Sequence, residues 1–269
     1  MKTEPDVILT ILKENRQSLT DRRVVQLFSK KRDVVKQAIR SLRTEREGSQ
    51  AERELLNIAN YWEHDDGLAS FWCFLVLGLM NSLAAVPLLL EALDSEGDYL
   101  KEMTTESLEM IVSRYPDSVV PAVIDFIEDR LTNDPSGGRL YAYSVLRAAL
   151  PHKEAADFLL YAFEQDDTWG DAMASDLVHL RDRRVIELIK RKLAMAERQD
   201  YDLSTNELLD AYGALMGIPH FVEQHEKYAA HERNWSADWE KRWRYQFDNL
   251  GKSSDDEGDQ EDDDFVIDP

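Results

Sequence analysis

A single cysteine, Cys73, stands in the 269 residues, which excludes an intramolecular disulfide framework and a cysteine-rich zinc site. Basic charge is also scarce: 32 Lys and Arg face 53 Asp and Glu, for a formal net charge of −21. Most of the chain would therefore repel a phosphate backbone. No Gly-rich phosphate loop, GxSxG, HExxH or CxxC stretch occurs, so the common signatures of nucleotide, acyl-transfer, zinc-protease and dithiol chemistry are missing. No segment sustains the two-residue alternation of a half-buried strand. The opening MKTEPDVILT lacks the basic-then-apolar pattern of a secretion signal. Together with the lone thiol, this predicts a reducing, cytoplasmic setting.

What the chain does have is a repeated phrase. Leu77 to Leu93, Ile111 to Ile127, Leu146 to Phe163 and, more weakly, Leu177 to Leu193 each place an apolar helix end, a polar break and a second apolar helix. Val86-Pro87 and Val120-Pro121 lie 34 residues apart, a period that signals stacked helical hairpins. The spacing predicts helix pairs at 68–80 with 84–94, 98–114 with 119–132, 138–149 with 153–165, and 169–180 with 183–198. Further helices are expected at 7–12, from Thr20, across the basic stretch to Arg43, at 52–63 and at 203–218. The uncharged run Leu68 to Leu90 is long enough for a membrane span. Asn81-Ser82 and Pro87 divide it instead into two buried helices, and no membrane association is expected. Ser70-Phe-Trp-Cys-Phe-Leu-Val-Leu77, Arg139-Leu-Tyr-Ala-Tyr-Ser-Val-Leu146 and Ala85-Val-Pro-Leu-Leu-Leu-Glu-Ala-Leu93 resemble HEAT-like repeats of the phycobilisome-lyase type, over about residues 68 to 193. The resemblance implies an all-α solenoid of antiparallel helix pairs whose second helices line a concave face. It implies no particular reaction.

Charge divides the chain. Residues 1–50 hold 12 basic against 7 acidic side chains and form a basic helical arm, residues 51–250 form the repeat domain, and 251–269 form an acidic tail. The tail has nine carboxylates and no base from Ser253 onward, a composition that predicts disorder. Within it, Asp262 to Asp268 surrounds Phe265, Val266 and Ile267 with acids, which suits a basic partner or the basic arm. The arm's order of short apolar helices, ending in Arg32-Asp-Val-Val-Lys-Gln-Ala-Ile-Arg-Ser-Leu42, is similar to the three-helix core of winged-helix regulators over residues 5–43. That resemblance makes Lys30, Lys31, Arg32, Lys36, Arg40 and Arg43 candidate phosphate or base contacts. No wing strands follow Gly48.

Trp235, Trp239 and Trp243 stand four apart, with Tyr245 and Phe247 close behind. On one helix this forms an aromatic stripe, read here as a cap over residues 219–250 that hides the last apolar face of the array, or as a partner groove rich in hot-spot residues. His220, His225 and His231 do not share one helical face at ligand distance, so no metal or other cofactor is expected. Acidic residues on or beside the second helices, Glu91, Asp94, Asp125, Glu128 and Glu164, with Tyr161, are candidates to steer a basic ligand. The expectation is a non-enzymatic scaffold or adaptor for a basic protein partner. Two alternatives stand beside it: an inhibitor or immunity-type protein neutralising a basic enzyme, and a DNA-binding regulator using residues 1–48.

Overall fold

Polar breaks at regular intervals cut the apolar sequence into rods too short to stand alone, and tertiary packing supplies what propensity cannot. The structure is a computed structural model that describes residues 19–61, 68–95, 98–133, 136–166, 173–180, 182–196, 203–233 and 239–248. Among them all regular structure is helical and no strand occurs. No described helix is long and apolar enough to cross a membrane. The expected helix at 7–12 and the acidic tail lie outside the described residues.

The arm supplies α1 (Arg22–Gln26) and α2 (Arg32–Leu42). In α1 the Asp21 carboxylate accepts the Arg23 backbone N–H at 2.8 Å, satisfying one orphan donor of the first turn. In α2, Val35, Ala38, Ile39 and Leu42 fall on one side and are buried, as helical spacing requires. Next comes α3 (Gln50–Ala59), where Ser49 Oγ accepts the Glu52 N–H at 3.1 Å. Glu52 is itself buried and accepts from the Gly48 N–H and the Ser82 hydroxyl. Its neighbour Glu54 accepts from the Thr20 N–H (2.8 Å), the Thr20 hydroxyl (2.7 Å) and the Asp21 N–H (3.0 Å). Two buried carboxylates thus fasten the arm and the first hairpin turn to α3.

The pairs follow: α4 (Leu68–Met80) with a 3₁₀ turn Leu83–Ala85 running into α5 (Val86–Ala92), α6 (Asp98–Arg114) with α7 (Pro116–Glu128), and α8 (Gly138–Ala148) with α9 (Lys153–Gln165). The uncharged run is divided where the sequence puts Asn81, which takes a left-handed φ of 57°. Some boundaries differ from expectation: the helix expected at 52–63 runs from Gln50 to Ala59, and the one expected at 119–132 from Pro116 to Glu128. Helix α7 opens at Pro116, so Pro121 lies inside it rather than at its start. The N–H it lacks would have served the carbonyl of Asp117, a residue exposed enough for water to take that place.

Helices α4, α6 and α8 pack side by side, while α5 contacts α6 and α7, and α7 contacts α8 and α9. Helix α6 is therefore flanked on several sides, and it buries small polar residues as well as apolar ones: Thr104, Thr105 and Ser107. Ser107 Oγ donates to the Phe74 carbonyl at 2.9 Å. A Cβ on Gly78 would meet Ser107 Cα at 2.6 Å, so glycine is what lets α4 and α6 approach so closely. Ion pairs tie the helices together both between and within pairs. Arg130 pairs with Asp94 at 2.5 Å, and Arg139, 3% exposed, pairs at 3.0 Å with Asp166, which also accepts from Tyr143 Oη at 2.7 Å.

Beyond them lie α10 (Ala174–Leu177) with a 3₁₀ turn Val178–Leu180, α11 (Arg183–Ala196), α12 (Leu203–Leu215) and α13 (Pro219–Arg233). The first part of the expected helix at 169–180 is outside the described residues. The tryptophan segment is not the single helix its spacing suggested. It is two short pieces, α14 (Trp239–Arg242) and α15 (Arg244–Asp248), with Trp243 in the turn between them.

Candidate functional site

Aligned by the repeat, the second helices offer equivalent positions. Glu91 on α5 corresponds to Asp125 on α7, Tyr161 on α9 and Arg191 on α11, and Glu128 and Glu164 are equivalent. Glu91, Asp125 and Glu128 are exposed, and their carboxylates carry no hydrogen bond or ion pair among the described residues. Tyr161 is 48% exposed, its ring 5.7 Å from that of Phe158. The remaining two acids are engaged. Asp94 is held by Arg130 and by the Ser136 hydroxyl, and Glu164 pairs with Arg191 at 2.8 Å. The free acidic face thus narrows to α5 and α7, because α11 turns basic, and its Arg184 and Arg191 neutralise Asp157 and Glu164 on α9. An open groove of ≈ 490 Å³ adjoins this face between α3 and α5, lined by Leu56, Asn60, Tyr61, Pro87, Leu88 and Glu91.

The tryptophans lie elsewhere. Trp239 and Trp243 are 3% and 2% exposed, while Trp235 is outside the described residues. They are buried, as a cap would be, but what they cover is the beginning of the array rather than its last face. The Phe71 ring meets Trp243 edge-on at 4.8 Å, and Phe247 stacks on Trp72 at 4.5 Å and 23°. Trp243 Nε1 donates to Glu106 Oε2 at 2.8 Å, and Arg242, its guanidinium 5.1 Å from the Trp243 ring, pairs with the same buried carboxylate. Burial draws Arg242 down to about 9, with Glu102 opposing, and it remains charged at neutral pH. At the far end Leu209, Met216 and Ile218 stay exposed.

The same segment occupies half of the basic arm. Arg40 grips Glu240 through two bonds, Nε to Oε1 at 2.6 Å and Nη2 to Oε2 at 2.7 Å. Arg32 pairs with Asp248. Lys36 is buried, 3.6 Å from Glu240 and 4.6 Å from the Phe247 ring centre. The Arg40 hydrogen bonds hold Glu240 below the ordinary carboxylate range. Of the six basic residues singled out in the sequence, Lys30, Lys31 and Arg43 remain exposed on the arm's surface. What the sequence reading missed are the acids between the aromatics. A signal was there: Arg32 and Arg40 are eight residues apart, as are Glu240 and Asp248, and the pairing runs in reverse order.

Comparisons with protein-family models, with curated proteins and with solved structures find no match for this chain.

Proposed function

We propose that the chain is a HEAT-like α-solenoid acting as a non-enzymatic scaffold or adaptor, which binds a basic protein partner across the outward faces of α5 and α7. The observation that carries this reading is that Glu91, Asp125 and Glu128, on the contacting helices α5 and α7, are exposed and their carboxylates unpaired among the described residues. The acids nearest this row are matched with bases: Asp94 with Arg130, Asp157 with Arg184 and Glu164 with Arg191. Carboxylates left free in a row keep their field for an incoming cation. The stacking of first helices α4, α6 and α8 supports the solenoid. Engagement of Arg32, Lys36 and Arg40 within the chain weighs against a DNA-reading arm.

The test is affinity capture by the tagged full chain against a variant carrying Glu91→Lys, Asp125→Lys and Glu128→Lys. One or more basic proteins should be retained by the native chain and lost from the variant. Their retention should fall several-fold between about 50 mM and 300 mM salt, as screening over a Debye length requires. Equal capture by both chains, or retention indifferent to salt, refutes the acidic-face reading.

A further inference from the structure

The contacts of residues 239–248 have the form of a bound peptide rather than a continued fold. The seat is built from α2, α4 and α6, and its occupant joins it from the far end of the chain: Trp243 reaches Glu106 across 137 residues, and Asp248 reaches Arg32 across 216. The occupant is a motif of peptide size. Trp239, Trp243 and Phe247 recur every fourth residue and are all buried, while Glu240 and Asp248 hold the rim. Buried aromatic anchors ringed by matched charge are the anatomy of helix-in-groove recognition. Pieces of four and five residues cannot hold a helix by themselves. Their order comes from the seat.

The fit is also incomplete. Trp72 Nε1, in the ring that Phe247 covers, and Gln246 Oε1, on the occupant, are buried without a hydrogen-bond partner among the described residues. Each such atom forgoes its water without replacement. A segment that offered an acceptor to the Trp72 indole would hold the seat better than the chain's own.

We infer that the groove formed by Phe71, Trp72, Glu106 and the Arg32–Lys36–Arg40 edge of α2 is a binding site for an aromatic helical segment that sets carboxylates against α2 and an arginine against Glu106, held in cis by residues 239–248 and open to a partner's segment of the same chemistry. The cis segment competes at the high effective concentration of a tethered ligand, on the order of millimolar. A partner therefore sees only the fraction of molecules whose seat is empty, and its apparent affinity scales with that fraction. The site is distinct from the acidic face on α5 and α7 and is recognised by aromatic anchors rather than by a row of free carboxylates. Failure of either proposal leaves the other standing.

The experiment uses the full chain and a fluorescent peptide with the sequence of residues 239–248, followed by anisotropy. The native chain should bind the peptide weakly. The pair Glu240→Gln and Asp248→Asn loosens the rim of the cis segment while leaving its aromatic anchors in place, and should raise peptide affinity at least tenfold. Adding Arg40→Glu to that pair should abolish the gain, and a peptide carrying Glu240→Arg should restore it. A merely structural clasp gives no such charge-swapped rescue. Absence of peptide binding to every variant, or binding indifferent to Arg40→Glu, overturns the proposal. So does preferential binding of a single-stranded oligonucleotide by the loosened chain, which would assign the basic edge to nucleic acid.

Discussion

At Gly78 a single missing methyl group sets the distance between two helices. A Cβ there would press on Ser107 Cα at 2.6 Å, a backbone atom that no rotamer change can move aside. Alanine would gain about 1 kcal/mol in helix propensity, while overpacking of this kind costs about 1–3 kcal/mol. Gly78→Ala should therefore lower the urea midpoint with an unchanged m-value. A midpoint that rises would show that α4 and α6 can part without cost. The sequence shows a glycine inside the apolar helix expected at 68–80. Which atom it makes way for was not legible, since Ser107 lies on another rod.

Element by element, short helices are held by side chains from their neighbours. The start of α1 rests on Glu54 of α3, which accepts from Thr20 and Asp21. Burial pulls Glu54 upward, yet the bonds from Gln50 and Thr20 and from the Asp21 N–H outweigh it and hold it below its ordinary 4.5. Asp21 is likewise lowered, chiefly by its bond from Arg23. A carboxylate whose folded pKa is depressed contributes stability above its unfolded value and loses it as pH falls through the folded one. The α1–α3 junction should accordingly hold at neutral pH and loosen below about pH 4.5. Amide exchange at Thr20 and Val24 checks this, and Glu54→Gln should remove most of its pH dependence. The helix start near Thr20 was legible in the sequence. Its partner Glu54 was hidden because a long-range cap leaves no local pattern.

Over the whole molecule, the C-terminal segment ties the end of the chain to its beginning. Trp243→Ala should cost about 3–5 kcal/mol, the usual toll for emptying a buried indole site. In a layered array each pair leans mainly on its neighbours, so the loss should be local. Hydrogen exchange should show protection falling in α2 and in the α4 and α6 stretches around Trp72 and Glu106, with α9 and α11 unchanged. Uniform loss across all helices would mean one indivisible core. The sequence by itself determined that the described residues are helical and roughly where the breaks between the rods fall, because periodicity, polar breaks and turn residues act within a few residues of one another. Only the tertiary structure decided that the tryptophans cover α4 rather than the last pair, and that Arg32, Lys36 and Arg40 face acids instead of solvent. Those choices depend on surfaces more than a hundred residues apart, where complementary shape and charge select the partner and local pattern carries no address.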